Sequence, residues 1–152
     1  MKLLQKALAT DAPAAVILIR VAVGGVFFSE GIQKFLFQDE LGAGRFTRIG
    51  IPAPQVTAPL VGVFEIACGA LILLGLLTRV AAIPMIVDML VAIATTKVPT
   101  LLKNGFWSMA HEARTDWAML LGSILLLVIG AGGWSLDARL SSPPVRRNGK
   151  VE

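Results

Sequence analysis

Glu30 and Lys34 stand one helical turn apart in "FFSEGIQKFLF", Phe27 to Phe37, inside a run that otherwise reads as a membrane span. Each charge near a bilayer centre costs roughly 2.5–3.5 kcal/mol on insertion scales, so such groups point into protein and pair with one another. Two further acids, Glu65 and Asp88, lie in separate apolar runs of the same kind. Carboxyls gathered from several spans can hold protons, exchange them with a ligand, or neutralise a cation. The order Glu30 then Lys34 also suits an i,i+4 ion pair. His111, Glu112, Arg114 and Asp116 form a second polar group, and Lys97 stands between the two. One histidine excludes bis-histidine haem within a single chain. A metal held by His111 with Glu112 and Asp116 follows no recognised spacing, so no metal site is assigned. His111 otherwise reads as a proton relay, a ligand contact or a solvated residue.

These residues are carried by helices. The chain has 152 residues, 55% of them hydrophobic and only 16% charged, with a mean hydropathy of +0.75. A soluble domain of that size needs more polar surface, so the expectation is an integral membrane protein. Hydropathy places four spans, about Ala14–Phe37, Val56–Leu77, Arg79–Val98 and Thr115–Gly133. Thr10, Asp11 and Pro13 mark the start of the first. Pro52 and Pro54 hold an extended connection before the second. Thr78 and Arg79 make a tight turn before the third, which Pro84 is placed to kink. "GAGGW" ends the fourth. The fold class is therefore all-α, a four-helix membrane bundle over residues 1–140, followed by a basic, disordered tail over 141–152.

The third and fourth spans are joined by "TKVPTLLKNGFWSMAHEARTDW". Its aromatics and charges predict an interfacial or re-entrant segment that caps the bundle, with His111 at the mouth. Both termini then lie on one side with Arg79, and Lys2, Lys6, Arg139, Arg146, Arg147 and Lys150 put that side in the cytoplasm. The net charge is +4, with Arg139, Arg146, Arg147 and Lys150 in the last fourteen positions and the other basic residues scattered; no basic helix with interleaved aromatics points to nucleic acid as the partner. The lone Cys68 excludes an internal disulfide and reads as a small buried hydrophobe.

At about 100° per residue, Arg20, Gly24, Phe27, Glu30, Gly31 and Lys34 share a third of the first helix's circumference. Ala58, Gly62, Glu65 and Gly69 share a face of the second, and Ala81, Asp88, Ala92 and Thr95 a face of the third. Glycine on a membrane helix marks close packing, so the acids are aimed at helix interfaces. Lys34, Lys97, Arg114 and Asp116 lie toward the outer surface. Arg20 is the exception, and its stem suits snorkelling inward. Two readings stay open: an ion network that fixes helix register, and a polar pocket open to the outer face.

The motifs "RVAVGGVFFSEGIQKF", "GIPAP", "FEIACGALILLGLLTRVAA", "MLVAI" and "GAGGWSLDARL" span Arg20 to Leu140. Together they resemble the DoxX family of small four-helix membrane proteins. The resemblance implies a bacterial or archaeal inner-membrane protein, an accessory or subunit of a quinone-linked oxidoreductase or redox-stress system. It implies a quinone as the cofactor class and a membrane or soluble redox protein as partner, beside the bilayer and a second copy of the chain. Glu30, Glu65 and His111 are then the candidates for proton exchange, in a pocket with Lys34, Asp88, Lys97, Glu112, Arg114 and Asp116. A flat, amphipathic quinone suits an apolar pocket with few polar groups, and the electron carrier would belong to a partner or bound cofactor. The alternative is non-enzymatic: a membrane scaffold or a small proton-coupled transporter.

Overall fold

A computed structural model describes Leu8, Thr10 and residues 12–141. Asp11, Lys2, Lys6, the basic residues Arg146, Arg147 and Lys150, and the expected tail from Ser142 onward lie outside the described residues. Those described are helical, without strands. We number the helices α1 Val16–Leu36, α2 Ala43–Arg48, α3 Pro54–Leu74, α4 Thr78–Ala92, α5 Val98–Asn104, α6 Phe106–Glu112, α7 Arg114–Ile129 and α8 Leu136–Ser141.

Three helical runs are long and apolar enough to cross a membrane: Val16–Leu36, Pro54–Leu74 and Thr78–Asn104. A 21-residue helix such as α1 measures about 31 Å, against a hydrocarbon core of about 30 Å. The outward faces stay apolar, with Leu18, Val21, Leu60, Val63, Val87 and Leu90 all exposed. Such a surface is solvated by lipid and not by water. The third run overshoots the expected Val98 because helix continues to Asn104 through a π-helical turn, Ile93–Lys97. Pro99 has no N–H for the carbonyl of Thr95, and Thr95 and Thr96 turn their hydroxyls onto the carbonyls of Val91 and Ala92. The wider turn absorbs both features without ending the helix. The fourth run is shorter than expected. It is α7, 16 residues ending before Gly130, or about 24 Å.

The helices α1, α3, α4 and α7 pack in a cycle, α1 on α3, α3 on α4, α4 on α7 and α7 on α1. Phe27, Ile72, Met85 and Leu126, one from each, fill the centre with almost no exposed surface. The α1–α3 contact is the tightest, because glycines face backbone. A Cβ at Gly69 would lie 2.6 Å from the Phe28 nitrogen and 2.9 Å from the Gly24 oxygen, and one at Gly31 would lie 2.7 Å from the Gly62 oxygen. Backbone cannot step aside, so Gly69→Val should force the pair apart at roughly 1–3 kcal/mol. Gly25→Val, where a Cβ meets nothing within 4 Å, serves as control. Melting in detergent should fall by several degrees for the first and stay near wild type for the second. Equal melting of the two would contradict this packing.

At one end the chain is locked by two charges. Arg20 is 2% exposed, so it does not snorkel to water as the sequence suggests. Its guanidinium donates to the carbonyls of Ile72 (2.9 Å), Leu73 (2.5 Å), Ala131 (3.3 Å) and Trp134 (2.6 Å). It thereby satisfies the Leu73 carbonyl at the end of α3 and adds a second donor to that of Ile72, which also accepts from the Gly75 N–H. Asp137, 1% exposed, accepts from the backbone N–H of Leu77 (2.7 Å) and Thr78 (3.0 Å). A side chain some sixty residues away thus caps the start of α4. Leu77 is held left-handed at φ 49°, a conformation that costs a non-glycine residue roughly 1–2 kcal/mol. Gly75, at φ +66°, leaves no room for a Cβ, which would lie 2.6 Å from the Arg20 Cζ. The turn is therefore Gly75–Leu77, and Thr78 and Arg79, expected as the turn, begin α4.

The first and last described segments meet at this same end: Gly132 donates to Thr10 Oγ1 at 2.8 Å and Gly133 to the Ala12 carbonyl at 3.1 Å. The short helices α2, α5 and α6 lie at the other end.

Candidate functional site

Away from the Arg20–Asp137 lock, the bundle opens into a cavity of about 400 Å³, within the range of small-molecule sites. Helix α1 supplies Phe27, Glu30 and Lys34, spaced i, i+3 and i+7 on one face. Helix α3 supplies Thr57, Val61 and Glu65, four residues apart on another. Asp88, Met89 and Ala92 come from α4, Thr95, Thr96 and Lys97 from the π-helical turn, and Asp116 and Met119 from α7. Across the top lie Leu41, Arg45, Phe46, Ile49 and Ile51, from α2 and its flanks.

The glycine contacts set the central ion pair. Helices α1 and α3 run antiparallel, and helical side chains lean toward their own N-termini. Lys34 therefore leans back along α1 while Glu65 leans the opposite way along α3, and the two meet. Lys34 Nζ stands 2.8 Å from Glu65 Oε1 and 2.6 Å from Oε2. Glu65 is buried and the Lys34 side chain is only 11% exposed. The ion pair expected between Glu30 and Lys34 is not made. Lys34 is taken by Glu65, and Glu30 is left facing the cavity without an ion pair among the described residues. Asp88 completes the cluster. It lines the same cavity as Glu65, Glu30 and Lys34, whose charges make up its electrostatic surroundings.

Glu30, Glu65 and Asp88 thus come from three helices and line one cavity with Lys34, which pairs with Glu65. Carboxyls so placed in a low-dielectric site cannot all be ionised at once without further cations or bound protons. Toward the mouth, Lys97 pairs with Asp116 at 3.4 Å, joining the π-helical turn to α7. The walls between, with Phe27, Val61, Met89 and Met119, are apolar. The arrangement can hold a flat, amphipathic molecule and give protons to it or take them from it.

The structure does not bring every sequence candidate here. His111, Glu112 and Arg114 are exposed and do not line the cavity. Arg114 donates to the His111 carbonyl, and Glu112 accepts from Thr100 Oγ1 at 3.2 Å. The segment expected to cap the bundle instead folds on itself, α5 against α6, broken at Gly105. Its apolar residues Leu102 and Trp107 are the most exposed of all, at 80% and 83%. An open groove lined by Glu40, Arg48, Lys103 and Glu112 separates this hairpin from α2. Among the described residues, no group of three or more histidine, cysteine or acidic side chains is placed to hold a metal ion. Cys68 is buried.

The cover is α2, in the stretch between the first two expected spans to which sequence reading assigns no element. Its signal was present. In "GRFTRIGI", Phe46 and Ile49 stand at i, i+3, a single helical repeat, and Phe46 is buried while Arg45 is half-buried.

Comparison with known proteins places the chain. A family model described as DoxX matches residues 15–98. The chain is 59% identical over 137 residues to "Uncharacterized membrane protein Rv3486" of Mycobacterium tuberculosis, covering 86% of this chain and 84% of that protein. It is 33% identical over 121 residues to "Putative oxidoreductase CatD" of Bacillus subtilis, covering 80% and 83% respectively. No solved structure matches.

Proposed function

The chain belongs to the DoxX family of membrane proteins, and on that premise we propose that its cavity is the ligand site of a quinone-linked accessory or subunit of a membrane oxidoreductase. The observation that carries this is the cluster of Glu30, Glu65 and Asp88 around one lysine, at the closed end of an apolar cavity. The relative from Bacillus subtilis, whose name places it among oxidoreductases, supports the class.

A quinone fits the residues present: apolar walls for a flat ring, and polar groups at the closed end and the mouth. When bound, it would supply a two-electron, two-proton redox couple. Glu30, Asp88 and Glu65 exchange protons with ligand hydroxyls at the closed end, and Lys34 holds Glu65 in position. Phe46 and α2 exclude water from above. Electrons pass to or from a partner redox protein. The protein sits in the bacterial cytoplasmic membrane, crosses it with α1, α3, the α4–α5 run and α7, and keeps both termini in the cytoplasm.

A purely structural network is the competing reading, favoured by the close Lys34–Glu65 pair. Glu65→Gln separates the two, since it keeps shape and removes charge. In the native host, with expression adjusted to wild-type levels of folded protein, it should fail to restore redox-stress resistance to a deletion strain. Full restoration would make the residue structural. Topology has its own test. In intact cells an impermeant maleimide should label Lys103→Cys and spare Ser141→Cys, both exposed positions, and the reverse pattern would invert the orientation.

A further inference from the structure

Of the cations that line the cavity, Lys34 and Lys97 have carboxylate partners. The Arg45 side chain has neither an ion pair nor a hydrogen bond among the described residues. It is half-buried at the neck, lining both the cavity and the groove outside it. Its neighbour on α2, Arg48, differs: its guanidinium is spent on the carbonyls of Asp39 and Glu40. A guanidinium only partly reached by water gains from an acceptor, and its planar fork matches a carboxylate through two parallel hydrogen bonds.

The closed end has the opposite character. Glu30 and Asp88 offer acceptors, which call for donors on the ligand. From Asp88 to Lys97 along the helix is about 13 Å at 1.5 Å per residue, room for one ring with substituents at opposite ends. We infer that the site takes a dihydroxylated aromatic acid, its hydroxyls at Glu30 and Asp88 and its carboxylate on Arg45. A small inorganic anion would leave the apolar walls unused. A neutral quinol would leave Arg45 unmet. An amine would meet Arg45 as a like charge. The inference rests on the reading of the cavity as a ligand site and adds the charge of the ligand.

The test titrates 2,5-dihydroxybenzoate and its methyl ester, both kept reduced, into the full chain in nanodiscs, with heat as the readout. The acid should bind wild type about tenfold or more tighter than the ester, as a charge-assisted bidentate contact at a half-buried site warrants. Arg45→Gln should bring the acid to the level of the ester and leave the ester unchanged, and Arg45→Lys should recover part of the preference. Equal binding of acid and ester to wild type, or an equal loss of both in Arg45→Gln, overturns the inference and leaves the ligand site standing. If neither compound binds wild type at millimolar concentration, the inference and the ligand-site reading of the cavity fall together.

Discussion

Asp137→Ala is expected to destabilise the protein by about 3–5 kcal/mol, as loss of one partner from a buried, hydrogen-bonded charge set does. The change strips the N–H groups of Leu77 and Thr78 of their acceptor. It leaves the left-handed Leu77 unsupported, and leaves the Arg20 guanidinium without its nearby counter-charge. Asp137→Asn keeps one acceptor oxygen and loses the charge, so it should fall between alanine and wild type. Arg20→Met should also be severe, because four carbonyls lose their donor. The two losses should not add, since both residues clamp the same turn. Denaturant unfolding of wild type, the three single variants and the Arg20→Met/Asp137→Ala double variant in one detergent checks this. An Asp137→Ala protein within 1 kcal/mol of wild type, on the order of a surface change, would mean that the lock does not carry the fold.

Lys34→Met is the second large effect. It leaves Glu65, 3% exposed, as a buried carboxylate without its cation, at about 3–5 kcal/mol. Pairing Lys34→Met with Glu65→Gln should restore much of the loss, because the stranded charge goes with its partner. A double-mutant cycle for Lys34 and Glu65 should then show coupling of at least about 1 kcal/mol, and the cycle for Lys34 and Glu30 clearly less. Equal coupling in both would return Lys34 to its neighbour on α1. A Lys34→Met protein as stable as wild type would remove the ion pair from the account.

Sequence and structure part company at identifiable places. The spans on α1, α3 and α4 were legible because hydropathy is a property of composition along the chain. The inward aim of Glu30, Glu65 and Asp88 was legible because each lies on a face with glycine or alanine, and the glycines do meet across α1 and α3. The partner of Lys34 was not legible. Spacing within one helix favours Glu30, whereas the opposite lean of side chains on two antiparallel helices favours Glu65, and only the register of Gly31 on Gly62 decides. The role of Asp137 was hidden for a similar reason, since its contact is with a turn sixty residues away. His111 was drawn to the mouth by an expected capping segment. Gly105 lets α5 and α6 fold on each other instead, and the short α2, too brief for a clear helical period, took the covering place.

The central claim is that the cavity among α1, α3, α4 and α7 holds a small molecule through its carboxyl cluster. Purification of wild type and Glu65→Gln from native membranes in mild detergent, followed by mass spectrometry of what each carries, tests it most directly. Wild type should carry an aromatic or quinone-type molecule approaching one per chain, and Glu65→Gln, compared at equal amounts of folded protein, should have lost most of it. The same bound molecules at the same occupancy in both, or none in wild type, would contradict the claim.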